Sequence, residues 1–201
     1  MNIAILIPCY NEEQTIEKVI SDFQLAMPYA SIYVYDNNST DNTADIATQA
    51  KAIVQHEKKQ GKGNVIRRMF ADIQADYYIL IDGDNTYDVP SAEKMLYHAI
   101  DNNLDMVTGV RKHTEDKAYR FGHVLGNKAL TGLVSLLFRN QLSDMLSGYR
   151  VFSIRFVKSF PVFSSGFEIV TEFTVHALDF NMAIDEMDTP YYERQEEFGS
   201  A

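Results

Sequence analysis

The sequence has 201 residues, of which 46% are hydrophobic and 23% charged, and its formal net charge at pH 7 is -10. This composition is typical of one globular domain with a sizeable core, and it excludes the disordered and fibrous classes. The acidic balance argues against nucleic-acid binding, which normally requires a basic face.

The sequence carries few signals of cellular location. Cys9 is the only cysteine, so no disulfide framework is predicted, and the amino terminus lacks the basic and long apolar regions of a signal peptide. The longest weakly polar run, at residues 130–138, is about half of what a bilayer crossing requires. We therefore expect a cytoplasmic protein without a membrane-spanning segment.

Strands and helices are predicted to alternate through the first half of the chain. Apolar runs at residues 3–7, 32–35, 52–54 and 77–81 indicate buried strands, and an amphipathic helix is predicted after each of the first three. Such alternation predicts a mainly parallel sheet that is flanked by helices and joined by right-handed crossovers.

Three polar loops directly follow these strands, at residues 8–12, 36–41 and 82–86. Because ligands of parallel α/β sheets lie beyond the carboxyl ends of the strands, we expect the three loops to form one binding site. The last loop contains Asp82-Gly83-Asp84, in which glycine allows a tight turn between two carboxylates. Such a pair commonly holds Mg²⁺ or Mn²⁺ together with substrate phosphates, although a polar turn after a core strand is the alternative.

The second half of the chain is predicted to contain further helices and strands. Residues 111–128 are locally basic, against the acidic trend of the whole sequence. The predicted elements are a helix beginning near Pro90, a strand at 105–109 that ends at Val110-Arg111, a long helix at 121–138, a strand-like pair at 151–152 and a helix at 168–180, after which the chain closes with residues 183–187 and 190–194.

Three other classes place polar or acidic residues after parallel strands, and the motifs argue against each. The turn after the first strand lacks the Gly-x-Gly-x-x-Gly of Rossmann dehydrogenases, and Gly61-Lys62-Gly63 lacks the remaining residues of a P-loop. Asp82, Asp84 and Thr86 match the Asp-x-Asp-x-Thr of haloacid-dehalogenase-like phosphatases locally. In that family, however, the motif lies on the first strand, and no later paired-aspartate loop is evident here.

Several motifs, in the same order, resemble those of family 2 glycosyltransferases with the GT-A fold, over nearly the whole chain. Residues 5–12 are similar to the opening strand and nucleotide-binding loop, and residues 36–43 to the Asp-Asp-Gly-Ser-Thr-Asp-Gly-Thr loop. Gly61-Lys62-Gly63 resembles the family's Gly-Lys-Gly, and Asp82-Gly83-Asp84 its Asp-x-Asp metal motif. The segments that resemble the polyprenyl-phosphate branch, which includes dolichyl-phosphate mannose and glucose synthases, are residues 109–111, Asp144 with 147–150, and 190–194.

The resemblance implies one GT-A catalytic domain over residues 1–201, with a Rossmann-like, mainly parallel α/β sheet flanked by helices. It also implies a metal-dependent inverting enzyme that moves a hexose from a UDP- or GDP-sugar to a polyprenyl phosphate at the cytoplasmic face of the membrane. Members of the family often continue into a membrane segment that this sequence lacks, so a truncated form is expected. A saccharide hydroxyl acceptor, a non-catalytic GT-A-like binding protein and a homo-oligomer are left open.

The resemblance also suggests roles for individual residues. Asp82 and Asp84 would hold Mg²⁺ or Mn²⁺. Asn37 replaces the second aspartate of the family's loop, which is expected to weaken a polar contact there. The nucleotide sugar is assigned to Pro8, Tyr10, Asn11, Glu12, Asp36, Asn38, Lys62, Asp82, Gly83 and Asp84.

Four arginines are candidates for binding the acceptor phosphate: Arg111, Arg120, Arg150 and Arg194. The first two, with Asp84 and Asp144, are the predicted catalytic residues. A phosphate acceptor needs no strong general base, whereas a sugar hydroxyl acceptor would make Asp144 the base. A structural ion pair between Arg150 and Asp144 is the alternative to a role in binding.

Overall fold

The computed structural model describes residues 1–113 and 143–192. The predicted alternation of strands and helices is confirmed in its first half, and helix α5, which was not predicted, begins directly after β6. In chain order the elements are β1 (Ile3–Cys9), α1 (Ile16–Ala26), β2 (Ser31–Asp36), α2 (Thr43–Gln49), β3 (Ile53–His56), α3 (Lys62–Asp72), β4 (Tyr77–Leu80), α4 (Ser91–Asp101), β5 (Met106–His113), β6 (Arg150–Ser153), α5 (Ile154–Ser159), α6 (Ile169–Asp179) and β7 (Ile184–Tyr191).

The strands form one seven-stranded sheet in the order β3-β2-β1-β4-β6-β5-β7. Strands β1 to β4 pair in parallel, as do β5 and β7, whereas β6 is antiparallel to both of its neighbours. The mainly parallel sheet is therefore confirmed, with one reversed strand. Because β6 runs opposite to β4, the chain that enters β6 arrives at the edge where β4 ends, which is the predicted position of the site.

Apolar layers cover the sheet on both faces, as the continuous apolar strands predict. Alternate residues of β1 belong to different layers: Ile5 and Ile7 pack with α1, α2 and α4, and Ala4 and Leu6 pack with α3, α5 and α6. Burial of both strand faces fixes the register, because a shift by one residue would exchange the two sets. The sheet is therefore a firm base for the loops at its edge.

Strand β5 continues past its predicted end at Val110-Arg111 to His113. Its parallel ladder with β7 continues from Met106 opposite Ile184 to His113 opposite Tyr191, and this pairing extends both strands. The helix predicted at residues 121–138 lies outside the described residues. Within 1–113 and 143–192, no helix combines the length and the apolar content that a bilayer crossing needs.

Candidate active site

A cleft of about 590 Å³ opens at the carboxyl ends of β1, β2 and β4. The three polar loops predicted to meet at this edge all contribute to its wall, together with the start of α3 and one residue that precedes α6. The cleft is lined by Pro8, Cys9, Tyr10, Asn11, Glu12, Asn37, Gln60, Gly61, Lys62, Val65, Asp82, Gly83, Asp84 and Phe167.

The two carboxylates after β4 have different partners. Asp82 accepts a hydrogen bond from the ammonium group of Lys62, and Asp84 Oδ1 accepts from Thr86, at 2.7 Å from Oγ1 and 3.2 Å from the backbone nitrogen. Gly83, between them, packs closely against the end of β1, because a Cβ there would lie 2.9 Å from Cys9 Sγ. The loop therefore presents one carboxylate that is neutralised by a lysine and one that is oriented by a threonine.

This pair fits a hard divalent cation that takes its remaining ligands from a substrate. Among the described residues there is no group of three or more His, Cys, Asp or Glu side chains that could hold a metal. Two carboxylates are sufficient for Mg²⁺ or Mn²⁺, since these ions bind one or two carboxylates and complete their coordination shell with phosphate oxygens and water. A cation at Asp82 has to compete with the ammonium group of Lys62, and the Asp84 carboxylate beside it is oriented by Thr86.

The Lys62–Asp82 pair lies against the segment that enters β6. A Cβ on Gly148 would lie 2.6 Å from Asp82 Oδ2 and 3.2 Å from Lys62 Nζ, so a larger residue there would displace the pair from its present position. The lysine side chain is 9% exposed, and its ammonium group lies 5.6 Å from the centre of the Phe167 ring. The antiparallel direction of β6 brings Gly148 to this position. It thus explains the glycine, which was noted in the sequence only as part of a family resemblance.

The loop after β1 is tied to the loop after β2. The backbone nitrogens of Asn11 and Glu12 donate to Ser39 Oγ and Thr43 Oγ1 at 2.9 Å and 2.8 Å, and Asn11 Oδ1 accepts from the backbone nitrogen of Thr40 at 2.8 Å. Pro8, Tyr10, Asn11 and Glu12 line the cleft, as predicted for a nucleotide loop. Tyr10 is exposed and can offer its ring to a ligand.

Two predicted nucleotide residues lie beside the cleft wall rather than in it. Asp36 is buried, with Oδ2 3.3 Å from His56 Nδ1 and from the backbone nitrogen of Ser39. Asn38 donates through Nδ2 to the backbone oxygen of Lys58 at 3.0 Å. Both side chains thus support loops that border the cleft, and their direct contact with a nucleotide stays a prediction.

Arg111 and Asp144 form a bidentate ion pair. Arg111 Nε lies 2.7 Å from Asp144 Oδ2, and one terminal nitrogen lies 2.8 Å from Oδ1. Burial lowers the pKa of the Arg111 guanidinium, but the hydrogen bonds and the charge of Asp144 outweigh burial and raise that pKa above its ordinary value. The arginine therefore stays charged, and it lies 5.6 Å from the centre of the Tyr191 ring.

A packed set of tyrosines connects this ion pair to the carboxylates of the cleft. The Tyr87 ring lies 5.1 Å from that of Tyr191, and its hydroxyl accepts from the backbone nitrogen of Gly148 at 2.9 Å. Gly148 in turn borders Asp82. The predicted catalytic residues Asp84, Asp144 and Arg111 thus belong to one contiguous region, whereas Arg120 and Arg194 lie outside the described residues.

The structure contradicts the acceptor-phosphate role predicted for Arg150, whose side chain is fully buried. Its guanidinium donates to the backbone oxygens of Met145 and Ser147, at 2.7 Å and 3.1 Å, and to Thr174 Oγ1 at 2.9 Å. Burial lowers the pKa of Arg150 to about 10, so a structural cation remains in the core at neutral pH. Arg150 therefore holds the segment that enters β6, and Arg111 takes the role of ion-pair partner to Asp144.

Sequence reasoning missed the segment at residues 162–168, which forms one wall of the cleft. Phe167 is 76% exposed and lines the cleft, although nothing in the sequence distinguishes it from the other eleven phenylalanines. Glu172 holds this segment by accepting from the backbone nitrogens of Phe163 and Ser164 at 2.7 Å and 2.9 Å. The Gly-Lys-Gly motif is the sequence feature that could have indicated a close contact here. A Cβ on Gly61 or Gly63 would lie 2.2 Å from a backbone oxygen of residues 164–165, so these glycines allow the segment to pack against the start of α3.

A mixed α/β sheet of this topology, with an acidic pair at the carboxyl ends of its parallel strands, defines a GT-A-type nucleotide-sugar fold. The family model described as glycosyl transferase family 2 matches residues 4–160. The chain therefore belongs to this family, as its motifs predicted.

Named relatives agree with this assignment. Protein RfbJ of Shigella flexneri is 56% identical over 123 residues, which are 61% of this chain and 95% of RfbJ. Glycosyltransferase AglJ of Haloferax volcanii is 34% identical over 194 residues, and dolichol-phosphate mannosyltransferase of Pyrococcus furiosus is 24% identical over 186 residues. These alignments cover 96% and 87% of this chain but only 63% and 53% of those two relatives.

Solved structures show the same fold. Glucosyl-3-phosphoglycerate synthase from Mycobacterium tuberculosis, in complex with Mn²⁺, uridine diphosphate and glucosyl-3-phosphoglycerate, matches with a TM-score of 0.78. The match covers 97% of this chain and 72% of that one at 22% sequence identity. At this identity the likeness shows the fold alone.

Proposed function

We propose that this chain is a metal-dependent inverting glycosyltransferase that moves a hexose from a UDP- or GDP-sugar to a polyprenyl phosphate. The observation that carries the acceptor class is the bidentate Arg111–Asp144 pair, which lies one packed layer of tyrosines from the acidic pair of the cleft. Because the hydrocarbon chain of such an acceptor stays in the bilayer, the proposal includes peripheral binding to the cytoplasmic face of the membrane.

The cleft residues suit the donor. A divalent cation held by Asp84 would offset the charge that develops on the leaving diphosphate, as Mg²⁺ and Mn²⁺ do in phosphate chemistry. Lys62 lies at the start of α3 and is placed to add a second positive charge. The solved synthase that shares this fold contains Mn²⁺ and uridine diphosphate, which supports the same donor class for this chain.

The Arg111–Asp144 pair suits an acceptor that is already charged. Both oxygens of Asp144 accept from Arg111, so the carboxylate has to break a charge-assisted hydrogen bond before it can accept a proton. A phosphate oxygen is already ionised near neutral pH, so it needs no base to remove a proton. It forms a bond to the anomeric carbon while the bond from that carbon to the diphosphate breaks, and the nucleoside diphosphate leaves with the electron pair and no proton moves.

Replacing Asp144 by asparagine separates the two acceptor classes. Asparagine keeps the shape of the side chain and one acceptor for Arg111 but cannot serve as a base. We expect transfer to a short-chain polyprenyl phosphate to fall by up to about tenfold, whereas loss of a general base lowers transfer by about 10²- to 10⁴-fold. Steady-state transfer from UDP- and GDP-hexoses, measured with each acceptor, checks the expected result.

The control for this experiment is nucleotide binding with Mn²⁺, together with the melting temperature of the variant. If both are preserved and transfer falls by 10²-fold or more, Asp144 acts as a base, and the saccharide acceptor replaces the lipid phosphate. Transfer by the native chain to a saccharide hydroxyl but not to polyprenyl phosphate would give the same answer directly.

A further inference from the structure

Asn37 lies at the start of the loop after β2, lines the cleft and is 5% exposed. Its Nδ2 donates to the backbone oxygens of Glu57 and Lys59, both at 2.8 Å, and its Oδ1 accepts from the backbone nitrogen of Gly61 at 2.7 Å. Two carbonyl groups need donors and one N–H group needs an acceptor, so these partners fix which side of the amide is nitrogen. One side chain thus binds both ends of residues 57–61.

Only an amide of this size can make these three hydrogen bonds. An aspartate has the same shape but is an acceptor alone when ionised, and it would place a charged oxygen 2.8 Å from two backbone oxygens. The glycosyltransferase loop that this segment resembles has aspartate here. The asparagine of this chain supplies the two donors and the one acceptor that its own backbone requires.

Other hydrogen bonds act at single points of residues 57–61: the backbone nitrogen of Glu57 donates to the backbone oxygen of Asp36 at 2.9 Å, that of Lys59 donates to Glu57 Oε1 at 2.7 Å, and the backbone oxygen of Gln60 accepts from Asn64 Nδ2 at 3.0 Å. Lys58, Lys59 and Gln60 are exposed, so they contribute no buried apolar contact. Asn38 adds hydrogen bonds to the oxygens of residues 57 and 58, at 3.3 Å and 3.0 Å, but it does not reach the end that leads into α3. At that end Gly61 has a φ of 123°, and Asn37 Oδ1 anchors its backbone nitrogen.

Resting on the donor site proposed above, we propose that Asn37 is a positioning residue of the cleft. It holds residues 57–61 so that Lys62, the next residue, reaches Asp82. Gln60 and Gly61 are part of the cleft wall, so the same three hydrogen bonds also fix the edge that a nucleotide would contact. An aspartate at this position, as in the motif that the loop resembles, would lose these hydrogen bonds and is expected to disrupt the donor site.

The test compares Asn37→Asp with Asn103→Asp. The second variant makes the same change of charge at an exposed asparagine whose φ of 51° aspartate tolerates, away from the cleft. Limited trypsin digestion measures cleavage after Lys58 and Lys59, relative to cleavage after the exposed Lys18 and Lys94. Calorimetric titration of UDP and of GDP, each with Mn²⁺, measures the donor site.

For Asn37→Asp we expect cleavage after Lys58 and Lys59 to accelerate by about tenfold or more, and affinity for the nucleotide that the native chain binds to fall by about tenfold or more. Cleavage after Lys18 and Lys94 should match that of Asn103→Asp, since the change is local. A new charge that merely repels the nucleotide would lower affinity in Asn37→Asp without faster cleavage after Lys58 and Lys59, and that result would overturn the inference.

The other outcomes are also decisive. Unchanged cleavage after Lys58 and Lys59 overturns the inference, as does unchanged or tighter nucleotide binding, which is expected if position 37 contacts the nucleotide directly. Faster cleavage in Asn37→Asp, with no nucleotide bound by the native chain, would support the hold on residues 57–61 and contradict the proposed donor instead.

Discussion

Replacing Asp84 by alanine is expected to abolish metal-dependent nucleotide binding and to lower transfer by at least about 10³-fold, while the fold stays intact. Asp84 lines the cleft, and Thr86 orients its carboxylate there through two hydrogen bonds to Oδ1, so the charge of Asp84 is placed beside a bound cation. Its loss removes the protein ligand that holds positive charge beside the leaving diphosphate. Titration of UDP and GDP, with and without Mn²⁺, and steady-state turnover measure the two effects.

Asp82→Ala provides an internal comparison. Removal of the Asp82 carboxylate leaves the Lys62 ammonium group without this partner in the cleft, where its positive charge repels a metal ion. Metal affinity should therefore fall, but by about tenfold less than in Asp84→Ala. Asp101→Ala, an exposed carboxylate at the end of α4, is the control for a lost negative charge and should behave as the native chain does. Undiminished Mn²⁺-dependent turnover in Asp84→Ala would remove the metal assignment, and the opposite ranking of the two aspartates would make Asp82 the principal ligand.

Local patterns were sufficient to predict the half of the site that follows parallel strands. Apolar runs identify strands, amphipathic stretches identify the helices between them, and parallel connectivity then brings the loops after β1, β2 and β4 to one edge. Asp82, Asp84 and the residues of the first loop could therefore be placed together before any coordinates were known. Each step uses residues that are neighbours along the chain.

The remaining half depends on a strand direction that no local pattern encodes. β6 lies between β4 and β5 and runs antiparallel to both, and only this arrangement brings Gly148 against Asp82. The alternation of side chains along β6 decides that Arg150 faces the core, so its motif alone could not separate it from Arg111. Choosing between the two arginines required knowing which faces of the sheet are covered.

The Gly-Lys-Gly motif shows the same limit. In the sequence its glycines suggest a loop that approaches a ligand. In the structure they allow the backbone of residues 164–165, about a hundred positions further along the chain, to approach closely. The backbone oxygen of Ser165 accepts hydrogen bonds from the backbone nitrogens of Gly63 and Asn64. The first turn of α3 thus gives hydrogen bonds to the protein itself. Gly61 and Lys62 line the cleft, and Lys62 is the residue of the motif that brings a side chain to it.

This arrangement gives Gly63→Ala an expected effect opposite to the one that helix propensity predicts. Position 63 lies in the first turn of α3, where alanine in place of glycine would by itself favour the helix by about 1 kcal/mol. The added Cβ, however, would lie 2.2 Å from the backbone oxygen of Ser164. We expect a net destabilisation of about 2 kcal/mol and a fall of about 5 °C in melting temperature. Thermal and denaturant unfolding measure both quantities.

The clash cannot be relieved cheaply, because hydrogen bonds from side chains of two helices, α6 and α3, hold the segment that it meets. Glu172 binds the backbone nitrogens of Phe163 and Ser164, and Arg67 donates to the backbone oxygen of Val162 at 2.7 Å. Val162 itself has a φ of 45°, which is rare for a β-branched residue and persists only where surrounding contacts enforce it. A shift of this segment also moves Phe167, so nucleotide affinity should fall together with stability.

Gly166→Ala, on the same segment, is the matched control for Gly63→Ala. Its Cβ would meet only Glu168 Oε2, at 2.6 Å, and the far end of a flexible side chain can rotate away from it. We expect its stability to stay within about 0.5 kcal/mol of the native value. If Gly63→Ala instead stabilises the protein, as propensity alone predicts, then residues 162–168 yield to the added methyl group and are not the fixed wall that the cleft requires.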